Sequence, residues 1–166
     1  MGYAHYWHTS RDFTEQEWSS LMQVPVAVGM YIIGSDVSLM NMPRETMALN
    51  KAMQHQPAPN GAEELVEVLV ADFMATPHKK DASRHEAKTG SDPKATLLAM
   101  IKDPLAVLDA KGTPEERAGF RTWLLGLAEV TAEAGKEGGF LGIGAVRVSD
   151  KEKAALEELK EALGLA

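Results

Sequence analysis

Glu133-Ala-Gly-Lys-Glu137-Gly-Gly-Phe140-Leu-Gly-Ile-Gly-Ala-Val-Arg147-Val-Ser149-Asp-Lys-Glu152 is the stretch whose reading decides the fold. It joins the end of a long amphipathic helix to a glycine-rich crossing and then to a capped final helix. The helix before it has the cleanest pattern in the chain: Phe120, Trp123, Leu124, Leu127, Val130, Thr131 and Ala134 recur at three- and four-residue spacing. Thr113-Pro-Glu-Glu116 opens that helix as a capping box, with Pro114 at the first helical position. Ser149-Asp-Lys-Glu152 opens the last helix in the same way, and Ala155, Leu156, Leu159 and Leu163 follow at helical spacing. β-Branched alternation is confined to residues 145–148, enough for one short extended segment and no sheet. The string Gly138-Gly-Phe-Leu-Gly-Ile-Gly144 invites a phosphate-loop reading. A phosphate loop needs a strand before it and a helix immediately after. Here a helix precedes, so the glycines read as a packing device, with Phe140, Leu141 and Ile143 plugging the core.

Working back toward the N-terminus, the same helical grammar recurs. Residues 1–13 form an arm bearing Tyr3, His5, Tyr6, Trp7 and His8. Thr14-Glu-Gln-Glu17 is a capping box. It opens a helix in which Trp18, Leu21, Met22, Val28, Ile32 and Ile33 spread round most of the circumference, the mark of a central, buried helix. Pro25 lies inside it and predicts a kink or break. A second helix starts near Asn41 with Pro43 in its first turn, carrying Met42, Thr46, Leu49 and Met53 on one face. Gln56–Asn60 is a linker, and Asn60 is the expected cap of a third helix lined by Leu65, Val68, Leu69 and Phe73. Residues 75–92 lack apolar periodicity and read as a long polar loop. Asp92-Pro93 starts a fourth helix, and Asp103-Pro104 is expected to restart it as a separate short one. The predicted fold is all-α: a compact single-domain bundle of five to seven helices over residues 1–166. Residues 14–53 and 113–163 share a plan, a capped apolar helix leading to a second helix, and read as one helical hairpin used twice.

Composition bounds the chemistry. The chain has 166 residues, 45% of them apolar, enough for one domain with a real core. A formal charge of −7 argues against general nucleic-acid binding. The absence of cysteine excludes disulfides, thiolate metal sites and a cysteine nucleophile. The stretch Val24–Ile33 is interrupted by Pro25 and Gly29 and is too short to span a bilayer. No basic region followed by an apolar run opens the chain, so the expectation is a soluble, cytoplasmic protein.

The run Glu137-Gly-Gly-Phe-Leu-Gly-Ile-Gly, with Val146-Arg-Val-Ser149 and Glu152, resembles the ending of a group of uncharacterised bacterial all-helical proteins. That resemblance implies a fold and no activity. Ser149, Glu152 and Leu163-Gly-Leu165 are more faintly similar to the TerB-like tellurite-resistance proteins, whose repeats pair a helix with an acidic turn and a Ser-x-x-Glu-capped helix. The Asp-Gly turn of those repeats is replaced here by Ser35-Asp36 and Glu137-Gly138.

Candidate sites are sparse. His5 and His8 are the candidate metal ligands, imidazole being a good donor, yet no His-Glu-x-x-His pattern is present. Glu63, Glu64, Glu67 and Asp72 read as a solvated acidic face. No serine lies in Gly-x-Ser-x-Gly. Methionines crowd the first half, and flexible thioethers fill irregular cores or line adaptable grooves. The expected function is therefore a non-enzymatic, self-associating protein-interaction module that needs no cofactor, touching partners through Tyr3, Tyr6, Lys79, Lys80 and Arg84. The alternative is a small-molecule or metal-binding protein. Its pocket would lie between the Met-rich helix and the Gly138–Gly144 crossing, lined by Met42, Met47, Phe140 and Trp7.

Overall fold

The computed structural model describes residues 13–36, 42–76, 92–136 and 149–166. Among them lie six helices and no strand: α1 Glu15–Ser35, α2 Met42–His55, α3 Glu63–Ala75, α4 Pro93–Lys111, α5 Pro114–Lys136 and α6 Asp150–Ala162. The all-α bundle expected from the periodicity is the fold. The expected extended segment at 145–148, the Gly138–Gly144 crossing, the arm before Phe13 and most of the 75–92 loop lie outside the described residues.

The capping residues start the helices the sequence assigns to them. Thr14 accepts from the Glu17 backbone N–H at 3.1 Å while Glu17 accepts from the Thr14 N–H at 2.9 Å. Thr113 and Glu116 make the same reciprocal pair at 3.2 and 3.0 Å. Ser149 accepts from the Glu152 N–H at 3.2 Å. The third helix departs from expectation. Asn60 is not its cap; Ala62 stands there without a side-chain hydrogen bond, and Gly61 turns the chain with φ +92°. Only a residue without a Cβ adopts that backbone cheaply.

Pro104 also acts differently from expectation, and of the kink or break expected at Pro25 the break is absent. Pro25 neither breaks α1 nor ends it, and Pro104 does not split α4; both helices run on past their proline. Both rings are buried. Buried apolar residues lie on both sides of each proline, so packing keeps the helix continuous across the missing N–H.

α1 is the central element, touching each of the other five helices. The second helix of each hairpin packs on the first helix of the other: α2 lies on α5 and α6 on α1, while α1 and α5 pack together. That mutual exchange is the arrangement a hairpin used twice would make. The core between them contains Leu21, Ile32, Met53, Leu69, Ile101, Phe120, Trp123 and Leu124, all nearly inaccessible. Phe120 and Trp123 stack at 5.9 Å. The expected apolar face of α5 is corrected at Val130, which stands on the solvent side, whereas Ala128 and Ala132 are buried in its place. On α2, Thr46 is exposed and Glu45 takes the buried position.

Candidate functional site

Polar residues at core positions mark the places where this bundle departs from a plain apolar interior. Glu45, Asp72, Glu116 and Glu152 are all buried. Asp72, expected on a solvated acidic face, points inward instead: the Trp18 indole N–H donates to its Oδ2 at 2.9 Å. Glu63, Glu64 and Glu67 do face solvent. Glu116 is accounted for by its cap. Glu45 and Glu152 have no such full account. Each stands in the first turn of a second helix, α2 and α6. Burial raises the Glu45 carboxyl to about 7, with the negative charges of Glu152 and Asp36 adding to it. Burial also raises Glu152, against the hydrogen bonds from Ser149. One oxygen of Glu152, Oε2, is buried without a hydrogen-bond partner among the described residues.

A cleft of about 470 Å³ opens where the last turns of α1 meet the starts of α4 and α6. Met30, Tyr31 and Ser35 come from α1, Pro93, Lys94 and Leu97 from α4, and Lys151, Ala154 and Glu158 from α6. Its polar groups are paired with one another. The Tyr31 hydroxyl donates to Glu158 Oε2. Lys94 Nζ lies 2.7 Å from the same oxygen and 2.9 Å from Oε1, and 5.7 Å from the centre of the Tyr31 ring. The chemistry of each follows. Burial first, and then the Glu158 carboxylate, push the Tyr31 phenol up to about 12. The Lys94 ammonium and then the Tyr31 hydroxyl hold Glu158 below the usual carboxylate range. Glu158 in turn raises Lys94. All three are driven away from neutrality, which is where an acid–base catalyst must titrate. Met30 and Leu97 form an apolar wall of the cleft, and exposed Lys151 stands at its edge. A wider groove of about 670 Å³ between α1 and α4 has walls of small residues such as Ser20, Ala95 and Ala99.

The structure brings few of the sequence-predicted site residues together. Met47 sits on α2 with 72% of its surface exposed, and Met42 begins that helix. Tyr3, His5, Tyr6, Trp7, His8, Lys79, Lys80, Arg84 and Phe140 lie outside the described residues. Among the described residues, no group of three or more His, Cys, Asp or Glu is placed to hold a metal ion. No described helix is long and apolar enough to cross a membrane. Sequence reasoning missed Glu45, Asp72, Tyr31, Lys94 and Glu158, and took Glu152 only as a cap. A signal was present for the buried carboxylates. Glu45 leads Leu49 and Met53 by four and eight, Asp72 follows Leu65 and Leu69 by seven and three, and Glu152 leads Ala155 and Leu159 by three and seven. Each acid occupies the register of an apolar stripe.

Comparison with known protein families, with characterised proteins and with solved structures finds no match to this chain.

Proposed function

We propose that this chain is a non-enzymatic interaction module that self-associates through the α1–α4–α6 cleft. The observation that carries the reading is the state of the cleft's own polar groups: Tyr31, Glu158 and Lys94 satisfy one another and leave an apolar wall with a lysine edge. Such a surface suits an acidic, partly apolar partner. The chain itself carries one. Glu64, Glu67, Ala71 and Met74 are exposed on α3 at spacings of three, four and three, a single stripe along the helix. A carboxylate of that stripe can meet Lys151 while Met74 meets Met30. The contact is heterologous, so repeated docking gives a ring or a filament rather than an isologous dimer. The absence of cysteine suits the reducing cytoplasm, where we place the protein.

Light scattering on a sizing column tests this at low and high salt. Association should weaken with salt, because the steering charges are exposed. Lys151→Glu or Glu67→Lys should each weaken it, and the two together should restore part of the loss. A strict monomer at the highest accessible concentration would overturn the proposal.

A further inference from the structure

We propose that Asn60-Gly61, with the Glu63 carboxylate seated on the Gly61 N–H, is a self-modifying site at which the Asn60 amide is lost by deamidation. Asn60 stands exposed in the turn before α3, and its side chain does not serve as the cap of that helix, a place taken by Ala62. The Ala62 N–H closes the turn by donating to the Pro59 carbonyl at 3.0 Å, and Gly61 sits at φ +92°. Deamidation needs a backbone nitrogen beside the amide and no side chain in its way. Of the chain's three asparagines, only Asn60 precedes a glycine; Asn41 and Asn50 precede Met42 and Lys51. Gly61 carries no Cβ to block approach of its nitrogen to the Asn60 Cγ. The reaction also needs that nitrogen to give up its proton. The Gly61 N–H donates to Glu63 Oε2 at 2.7 Å, so a carboxylate already holds the hydrogen that must leave.

The chemistry balances with water as the sole co-reactant. Gly61 N attacks Asn60 Cγ, and its proton passes by way of Glu63 to the departing amide. The N–Cγ bond forms, the Cγ–Nδ2 bond breaks and ammonia leaves. The ring so closed contains Gly61 N with the backbone C, Cα, Cβ and Cγ of Asn60. Water then opens this succinimide. Attack at Cγ gives aspartate; attack at the backbone C gives isoaspartate, with the chain running through the former side chain. Either product adds a negative charge, and isoaspartate also adds a methylene to the backbone. The turn is wedged too tightly to absorb it. A Cβ on Gly61 would run into the Cβ of Glu115 on α5, and fully buried Ala62 lies against Gly119 of the same helix. The longer backbone therefore pushes the start of α3 off α5.

Incubation of the intact protein at neutral and mildly alkaline pH, followed by peptide mapping with mass spectrometry, tests the site. A carboxyl methyltransferase specific for isoaspartate labels the product. Asn60 should convert while Asn41 and Asn50 stay intact, with ammonia released in step and the urea midpoint falling as isoaspartate accumulates. Asn60→Ser cannot close the ring and should keep both its mass and its midpoint. Glu63→Gln leaves an acceptor oxygen for the Gly61 N–H but is no base. It should slow the conversion severalfold at neutral pH and make the rate climb more steeply with pH, because hydroxide must then take the proton alone. Persistence of Asn60 in the folded chain, under conditions where the urea-unfolded chain loses it, would overturn the proposal. An equal or faster rate in Glu63→Gln would overturn it as well.

Discussion

Replacing Asp72 with alanine should destabilise the fold by more than any surface acid in this chain, although the composition marks it as one carboxylate among many. Asp72 is 3% exposed on α3 and Trp18 is 8% exposed on α1, and the indole N–H donates to Oδ2 at 2.9 Å. Alanine removes that acceptor, a loss of about 1–3 kcal/mol. For a chain of this size, a loss of about 2 kcal/mol lowers Tm by roughly 4–8 °C. Asp72→Asn keeps an acceptor oxygen in place and should lose much less. Trp18→Phe removes the donor, and with it the packing of the indole against Phe13 at a ring separation of 5.6 Å. Only the double-mutant cycle separates the bond from that packing. Urea denaturation followed by far-ultraviolet circular dichroism on the two single variants and the double variant should give a coupling of about 1–2 kcal/mol. A coupling below about 0.3 kcal/mol, within the error of additivity, would refute the view that the bond pins α3 to α1.

The other predictions probe packing, capping and the cleft. A Cβ on Gly119 would lie 2.5 Å from the Cβ of Ala62, which cannot rotate away. Gly119→Ala should therefore cost about 1–3 kcal/mol by forcing α3 off α5, whereas a Cβ on Gly34 meets nothing within 4 Å. Gly34→Ala should be neutral or stabilise by up to about 1 kcal/mol, and thermal melts of the two variants decide it. Thr113→Ala removes the hydroxyl that accepts from the Glu116 N–H and should cost about 1 kcal/mol in urea denaturation. Tyr31 should ionise near 12, read as the ultraviolet difference between the native chain and Tyr31→Phe. Its raised pKa means that the stability it contributes is present below about pH 10 and lost as pH climbs through the folded value.

The legible part of the fold is the part written in local chemistry. Thr14, Thr113 and Ser149 announce helix starts because a cap is satisfied within four residues of itself. The apolar faces of α1 and α5 are legible because periodicity alone fixes which side turns inward. The register of Asp72 with Leu65 and Leu69 marks it as inward, but its acceptor role was not legible, because that depends on Trp18, fifty-four positions away. The cleft is non-local for the same reason. Tyr31, Lys94 and Glu158 meet only once α1, α4 and α6 are packed, and no spacing in the sequence joins them. The buried acids Glu45 and Glu152 occupy an intermediate case. Their register with apolar neighbours is visible in the sequence, but their burial is a property of the assembled bundle.

The prolines show how far packing can override a local rule. Proline inside a helix costs about 3 kcal/mol, through the lost N–H and the clash with the preceding turn. Against this, Val24, Ala27 and Val28 flank Pro25 at 0%, 2% and 0% exposure. Each valine buried fully contributes about 1.5–3 kcal/mol. Breaking α1 at Pro25 would turn one half of the helix away from the five it touches and expose such residues. The local penalty is therefore smaller than the packing it would forfeit, and α1 stays whole. Pro104 follows the same logic, with Ile101, Leu105 and Leu108 at 0%, 2% and 0%. The same balance predicts where the rule would reassert itself. In a variant whose core near Val24 and Val28 is hollowed to alanine, the proline penalty is no longer outweighed. Amide hydrogen exchange should then show α1 opening at Pro25, while α5, with no interior proline, keeps its protection.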